Sequence, residues 1–335
     1  MTLKIAIFSF AHMHAQSYAA AIAANSGAAL VGVWDADAAR GQAMADLYKT
    51  TFYASERELL AQGLDGAVVA SENVHHRRLV EMAAEAGVKA ILCEKPLATT
   101  VANARAMVDY CAARNVKLAT AFPCRYSPAF QSLLQKVQSG AVGKVLAIRG
   151  ANRGKAPGGW FVDKALSGGG AVLDHTVHAA DLNWLLLGRN AAEVYAEIGS
   201  EFQHAACEDT GFLTINYDGG VFATLDTSWS RPKNYPTWGD VTIQVVGTEG
   251  VIDADLFAQN LVCYDGAAGT ASWSNWGSGT DTEMIADFLR LTAGEDTPRL
   301  ATGEDGLRAV QIALTAYESA AMGQPVPVAA AAMRD

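Results

Sequence analysis

The residues KIAIFSFAHMHAQSYAAAIAANSGAALVGVWD, at positions 4–35, decide the fold of the first part of the chain. An apolar run at Lys4–Phe8 is followed by a short turn, a helical segment at Ala15–Ala24 and a second apolar run at Ala29–Trp34. Continuous apolar strands separated by helices are typical of a parallel sheet that is covered on both faces. The alternation predicts a doubly wound α/β domain over residues 1–121, with further strands at Leu64–Ala70, Val88–Leu92 and Val116–Ala121.

Length and composition limit the kinds of function. The 335 residues, 50% of them hydrophobic, predict two domains with a large core. A net charge of −10 without a Lys/Arg cluster argues against nucleic acid and anionic membranes, so we expect a small-molecule ligand. No apolar segment approaches membrane-spanning length. The cysteines are scattered, odd in number and without a CxxC pair, which predicts a reducing, cytoplasmic location. They are Cys93, Cys111, Cys124, Cys207 and Cys263.

The turn after the first strand is the first candidate binding site, because doubly wound sheets bind ligands beyond the carboxyl ends of their strands. Residues 9–14 read SFAHMH where a dinucleotide-binding turn reads GxGxxG, and His14 replaces the third glycine. The following helix N-terminus can still bind a pyrophosphate. His12 and His14 are alternatively metal ligands, although no third ligand is obvious nearby.

Polar residues also follow the later strands. Asp35 stands about twenty residues beyond the turn, where a carboxylate accepts hydrogen bonds from an adenosine ribose. Asp37 adds a second negative charge and no cation comes before Arg40, so we expect NAD in preference to NADP. The third strand is followed by SENVHH at 71–76, and the fourth by CEKPL at 93–97. Lys95 is thereby a positioned cation in the expected crevice.

A third element is the stretch SGGGAVLDHTVHAADLNWLLLG at 167–188. Asp174, His178 and Asp181 fall on one stripe of the predicted helix. A histidine with a carboxylate one turn away can remove a proton from a hydroxyl group. The glycines permit close approach of a backbone or a ligand. His175 is predicted to contact substrate or to pack beside the base, and a metal held by His175 and His178 is the alternative.

The second part of the chain, residues 122–325, predicts an α+β domain with a large, mostly antiparallel sheet. Arg153, Lys155 and Trp160 lie on a predicted loop at 151–170 and suit a polyhydroxylated or carboxylated ligand. Residues 326–335 are expected to fray. Later tryptophans could stack on a sugar or close the pocket, although core or interface packing is favoured for most of them. These are Trp229, Trp238, Trp273 and Trp276.

Taken in order, these pieces resemble the Gfo/Idh/MocA family of nicotinamide-dependent sugar and polyol oxidoreductases, over nearly the whole chain. The resemblance is carried by the turn and Asp35, the SxNxxH segment at 71–76, the EKP tripeptide at 94–96, Arg125-Tyr126, and the block from Gly168 to Gly188. Ser9, Ala11 and His14 depart from the family's glycines, and Glu72 from its usual proline.

The resemblance implies a Rossmann domain, hydride transfer between NAD and a secondary alcohol, and a homodimer or homotetramer formed through the C-terminal sheet. Redox-neutral hydrolysis or epimerisation with tightly held NAD, and a non-catalytic sugar or dinucleotide sensor, are the alternatives. Lys95, Asp174 and His178 are the expected catalytic residues, with His178 as base. Expected NAD contacts are Ser9, Phe10, Ala11, His12, Met13, Asp35, Ser71, Asn73, His76, Glu94 and Lys95. Expected substrate contacts are Lys95, Arg125, Arg153, Lys155, Trp160, Asp174, His175 and His178, and no metal is assigned.

Overall fold

The computed structural model describes residues 2–202, 206–258, 260–265, 267, 269–275 and 279–328. The strands are β1 (Leu3–Phe8), β2 (Ala28–Trp34), β3 (Gly66–Val69), β4 (Ala90–Cys93), β5 (Lys117–Thr120), β6 (Val145–Lys155), β7 (Ala191–Gly199), β8 (Thr210–Tyr217), β9 (Val221–Arg231), β10 (Gly239–Gly247), β11 (Val251–Asp255), β12 (Asn260–Asp265), β13 (Thr270–Asn275) and β14 (Val326–Pro327).

The α-helices are α1 (His14–Ala24), α2 (Ala38–Tyr48), α3 (Glu56–Leu60), α4 (His76–Glu85), α5 (Val101–Ala112), α6 (Pro128–Gln138), α7 (Lys164–Ser167), α8 (Ala171–Leu187), α9 (Thr280–Thr292) and α10 (Gly303–Met322). Short 3₁₀ turns cover Asn73–His75, Pro123–Tyr126 and Gly159–Val162.

The chain divides into two compact units. The first unit contains Met1–Tyr126, Asp163–Gly168 and Thr280–Val310, and the second contains Ser127–Val162, Gly169–Gly279 and Gln311–Asp335. The first segment of the first unit ends at Tyr126, shortly after the domain boundary predicted at residue 121. The first unit also contains two later segments of the chain.

The first unit is built on a five-stranded sheet in the order β2-β1-β3-β4-β5. All neighbouring strands are parallel, which confirms the predicted fold class. Buried residues of α1 and α9, among them Tyr18, Ile22 and Phe288, pack with Ile5 and Ile7 in one core. Helix α9 therefore completes the first unit, because its apolar face is buried there.

The second unit contains a seven-stranded sheet in the order β11-β10-β6-β9-β8-β7-β14. Only β6 and β9 pair in parallel among these strands, so the prediction of a mostly antiparallel sheet is confirmed. Helix α8 packs on one face of this sheet, against β6 and β9. Strands β12 and β13 form a separate hairpin.

Two local predictions need correction. Strand β6 continues to Lys155 instead of ending at Gly150, because its last residues pair with both β9 and β10. Val326 and Pro327 pair with β7 as β14 instead of fraying. Residues 329–335, Trp276 and the side chain of Trp273 lie outside the described part of the structure. Within the described residues, no helix is both long and apolar enough to cross a bilayer.

Candidate active site

The turn after β1 retains the backbone shape of a dinucleotide-binding turn without its glycines. Ser9 takes the first glycine position with a φ of 74°, in the left-handed region that glycine normally occupies. The Ser9 Oγ accepts the N–H of Ala11 at 3.1 Å, and the N–H of Phe10 donates to Asp35 Oδ2 at 2.7 Å. Helix α1 then begins at His14, so its N-terminus is available beside the turn. These residues fit a bound dinucleotide.

Asp35 makes more contacts around this turn than its position in the sequence suggests. The Arg40 guanidinium lies 2.6 Å from Asp35 Oδ1 through Nη2, and its Nε donates to Oδ2 at 2.8 Å. The same Arg40 Nη2 is 4.0 Å from Glu72. Arg40, the first cation after these acids in the sequence, lies in the first turn of α2 and pairs with Asp35. A ribose hydroxyl would have to share or displace this pairing.

The end of β4 places a buried carboxylate under the turn. The Tyr18 hydroxyl donates to Glu94 Oε1 at 2.5 Å, and the Lys95 N–H donates to Oε2 at 3.0 Å. His12 Nδ1 and His14 Nδ1 lie 3.4 and 3.6 Å from Oε1. Burial alone would raise the pKa of Glu94, but His12, His14 and Lys95 hold that pKa well below its usual value. Glu94 is therefore an anion.

The pKa values of two neighbours of Glu94, His14 and Tyr18, depend on its negative charge and on burial. Burial opposes protonation of His14, yet the Glu94 carboxylate raises the pKa of His14 above its usual value. Burial also raises the pKa of Tyr18 well above its usual range, with Glu94 adding to the effect. Tyr18 therefore keeps its proton and acts as a hydrogen-bond donor.

His76, an expected NAD contact, is held between two neighbouring loops. Its side chain is completely buried, with Nδ1 3.0 Å from the Pro96 carbonyl oxygen and Nε2 3.2 Å from that of Ser71. Burial lowers its pKa, so the imidazole is neutral. His76 therefore lies between the carbonyl groups of Pro96 and Ser71. The side chain of Asn73 is also held by a hydrogen bond, because its Nδ2 donates to the Ser167 carbonyl oxygen at 2.9 Å.

Arg125, an expected substrate contact, is buried and pairs with other residues of the first unit. The side chain is buried on the 3₁₀ turn after β5, with Nη2 3.1 Å from Asp305 Oδ2. Its Nη1 donates to the Arg299 carbonyl at 3.4 Å. The guanidinium is thereby paired with Asp305, at the start of α10.

The glycines before α8 admit a neighbouring backbone, which confirms the prediction of a close approach. A Cβ on Gly170 would lie 1.9 Å from the Glu208 carbonyl oxygen. The Glu208 side chain then covers the helix N-terminus, since its Oε1 accepts the N–H of Gly170 at 2.7 Å and that of Val172 at 3.2 Å. The Tyr317 hydroxyl also donates to Oε1. Sequence reasoning missed Glu208, because it lies 38 residues after Gly170 and no local spacing connects them.

Asp174 is oriented by two buried rings. The Trp229 Nε1–H donates to Asp174 Oδ2 at 3.3 Å, and His175 Nε2 lies 3.3 Å from the same oxygen. His175 is completely buried, and its Nδ1 is 2.9 Å from the Asn152 carbonyl oxygen. The His175 ring is therefore a buried neighbour of Asp174.

His178 lies one helical turn after Asp174 on α8 and is also buried, as is Asp181. The structure thus places the predicted base and carboxylate on one helix face.

Arg153 lies on β6, on the face of the seven-stranded sheet opposite α8. There its Nε donates to Asp240 Oδ1 at 2.9 Å, and Nη1 lies 3.7 Å from Asp226 Oδ2.

Other predicted residues of the second unit are dispersed. Trp160 stacks on Phe161 with ring centroids 3.9 Å apart, on the 3₁₀ turn before α7. Lys155 ends β6 and is partly exposed. Trp238 is also partly exposed and covers His175 edge-on, with centroids 5.3 Å apart. Among the described residues, the group arranged to hold a metal is His12, His14 and Glu94, and the alternative pair His175 and His178 is not part of it.

The fold and these side chains define an oxidoreductase with a dinucleotide-binding domain. Residues 3–122 match the model of an oxidoreductase family with an NAD-binding Rossmann fold, and residues 130–253 match the C-terminal domain of the same family. The chain therefore belongs to the Gfo/Idh/MocA oxidoreductases, and its first domain binds NAD.

Named relatives agree with this assignment. Myo-inositol dehydrogenase Hyg17 of Streptomyces leeuwenhoekii is 28% identical over 305 residues, which cover 88% of this chain and 90% of that protein. Myo-inositol 2-dehydrogenase of Thermotoga maritima is 27% identical over 278 residues, covering 80% and 81% of the two chains. The crystal structure of GenD2 from gentamicin A biosynthesis, in complex with NAD, has a TM-score of 0.89 and 26% identity, with 98% of this chain and 97% of that chain covered.

Proposed function

We propose that the protein is an NAD-dependent dehydrogenase that oxidises a secondary alcohol of a sugar, polyol or sugar acid. The observation that carries the proposal is the position of His178 one turn after Asp174 on α8, in a chain whose family binds NAD. In this proposal His178 removes the hydroxyl proton, Asp174 holds the hydroxyl group, and Lys95 stabilises the developing alkoxide. Proton transfer by such a base contributes a factor of about 10² to 10⁴ to the rate.

The cofactor assignment rests on the first unit. Ser9–Met13 and the strand-end residues Asp35, Ser71, Asn73, Glu94 and Lys95 are the residues that would hold NAD. When bound, NAD supplies the hydride acceptor. The left-handed Ser9 and the N-terminus of α1 support this assignment, because they keep the backbone shape and the amide dipoles that a pyrophosphate requires.

The substrate class follows from the relatives that carry names. Two of them are named myo-inositol dehydrogenases, so cyclic polyols are the first compounds to test. The experiment measures NADH formation with a panel of myo-inositol, other polyols, aldoses and sugar acids. The proposal predicts net NADH with at least one of them. Product formation with bound NAD and no net NADH would favour the redox-neutral reaction, and no turnover with any compound would favour a sensor.

We also propose a homodimer or homotetramer formed through the sheet of the second unit. This oligomer proposal is supported by a groove of about 880 Å³ on the sheet face opposite α8. Phe212 in this groove is 60% exposed. Light scattering of Phe212→Glu should show a smaller species than the parent chain, whereas Leu47→Glu, an exposed position on α2, should not. The cysteines are scattered, odd in number and without a CxxC pair, and this sequence pattern supports a reducing, cytoplasmic location.

A further inference from the structure

One carboxylate oxygen collects an unusual set of neighbours at the turn after β1. His12 Nδ1 and His14 Nδ1 lie 3.4 and 3.6 Å from Glu94 Oε1. One ligand atom from each of the three residues can be chosen so that all lie within 4.8 Å of one another. The two rings meet edge-on, with centroids 4.8 Å apart. Three potential donor atoms therefore lie close together.

The donor set is the kind that first-row transition metals bind. Two imidazole nitrogens and one carboxylate oxygen recur in catalytic zinc and non-haem iron sites. Ligands about 2.1 Å from a tetrahedral zinc ion are separated from one another by about 3.4 Å. The two measured nitrogen–oxygen separations, 3.4 and 3.6 Å, agree with that value.

The groups around the carboxylate hold it in place, as outer-shell partners of metal ligands do. The Tyr18 hydroxyl donates to Glu94 Oε1 at 2.5 Å and the Lys95 N–H donates to Oε2 at 3.0 Å. The Tyr18 oxygen also lies 3.4 Å from His14 Nδ1. The ligand orientation is therefore fixed before any ion binds.

Access to the cluster is one-sided. The side chains of His12 and Glu94 are 3% and 0% exposed, whereas that of His14 is 32% exposed. An ion could enter past His14 and keep a coordination position for water or an anionic oxygen, which is typical of open metal sites. We propose that His12, His14 and Glu94 bind one divalent transition-metal ion of the zinc, manganese or cobalt class.

This proposal does not depend on the dehydrogenase reaction, because metal binding is measured on the full-length chain without NAD. Protein treated with a chelator is dialysed against Zn²⁺, Mn²⁺ or Co²⁺, and bound metal is quantified by mass spectrometry. We expect one ion per chain for at least one metal, and with Co²⁺ the visible absorption of a four-coordinate nitrogen and oxygen site.

The variants decide between this site and adventitious binding. His14→Ala and His12→Ala should each weaken binding at least about tenfold. The control His75→Ala removes a partly buried histidine that follows β3 in the same unit and should bind as the parent chain does. His14→Ala is the decisive variant because its side chain is the most exposed of the three, and circular dichroism establishes that it is folded.

Absence of stoichiometric binding for all three metals, or equal binding by the parent chain and folded His14→Ala, would overturn the proposal. Neither result affects the test of hydride transfer, since NADH formation is measured separately with metal-free protein. Conversely, a failure to form NADH leaves the metal titration interpretable.

Discussion

The turn after β1 and helix α8 both carry histidines beside a carboxylate, but they are assembled in different ways. On α8 the partners Asp174 and His178 lie one turn apart, so helical geometry alone brings them together. At the turn, His12 and His14 meet Glu94, which comes from the end of β4 on the far side of β3. Local spacing therefore predicts the first constellation, and only the folded sheet produces the second.

The largest expected effect comes from the base on α8. His178→Ala should lower kcat by about 10² to 10⁴, because it removes proton transfer while leaving the first unit intact. Steady-state NADH formation measures kcat, and fluorescence titration measures the Kd for NAD, which should not change. His75→Ala is the control with unchanged kcat. A variant with parent-like kcat would remove His178 from the mechanism.

The next effect lies in the first unit. Lys95→Met keeps the length of the side chain but deletes its charge, and we expect kcat to fall by about 10² through lost electrostatic stabilisation. Lys89→Met, at an exposed lysine just before β4, is the matched control. Comparable losses in the two variants would show that net charge, and not the position of Lys95, controls the rate.

Glu208→Ala tests how α8 is held. The change leaves the N–H groups of Gly170 and Val172 without their acceptor, and we expect about 2 to 3 kcal/mol less free energy of unfolding. Urea denaturation measures this loss. Glu249→Ala, at an exposed turn, should change stability by less than about 0.5 kcal/mol. Equal stability of both variants would contradict the stabilisation of the N-terminus of α8 by Glu208.

His175→Gln separates orientation from catalysis on the same helix. His175 Nε2 lies 3.3 Å from Asp174 Oδ2 and orients this carboxylate, so we expect kcat/KM to fall about tenfold with a shifted pH profile and an unchanged Kd for NAD. A loss as large as that of His178→Ala would mean that His175 takes part in proton transfer directly. An unchanged pH profile would reduce its role to packing.

The smallest effect concerns cofactor choice. Arg40→Ala releases Asp35, so we expect the Kd for NAD to fall a few-fold and the Kd for NADP to rise. Isothermal titration with both dinucleotides measures the two values. Arg77→Ala, at an exposed arginine on α4, should leave both values unchanged. Tighter NADP binding in Arg40→Ala would reverse the assigned role of Arg40.

Sequence patterns predicted both sheets, because buried parallel strands and alternating antiparallel strands leave distinct apolar patterns. They also predicted the partners on α8, whose spacing is helical. They did not predict three contacts. These are the pairing of Arg40 with Asp35, the hydrogen bonds from the N-terminus of α8 to Glu208, and the contact of His175 Nδ1 with the Asn152 carbonyl oxygen. Each of these contacts depends on side-chain direction or on segments distant in sequence. The length of β6 was also underestimated, since its last residues are polar and are held by pairing on both sides.

The central claim is that a carbon-bound hydrogen of the substrate is transferred to the nicotinamide while His178 takes the hydroxyl proton. The most direct measurement uses the active polyol or sugar from the panel, deuterated at the carbinol carbon, and follows the label by NMR spectroscopy. Our account predicts one deuterium at C4 of the NADH produced, with the rate of label transfer lowered by about 10² to 10⁴ in His178→Ala. NADH without deuterium, or label lost to water, would contradict it.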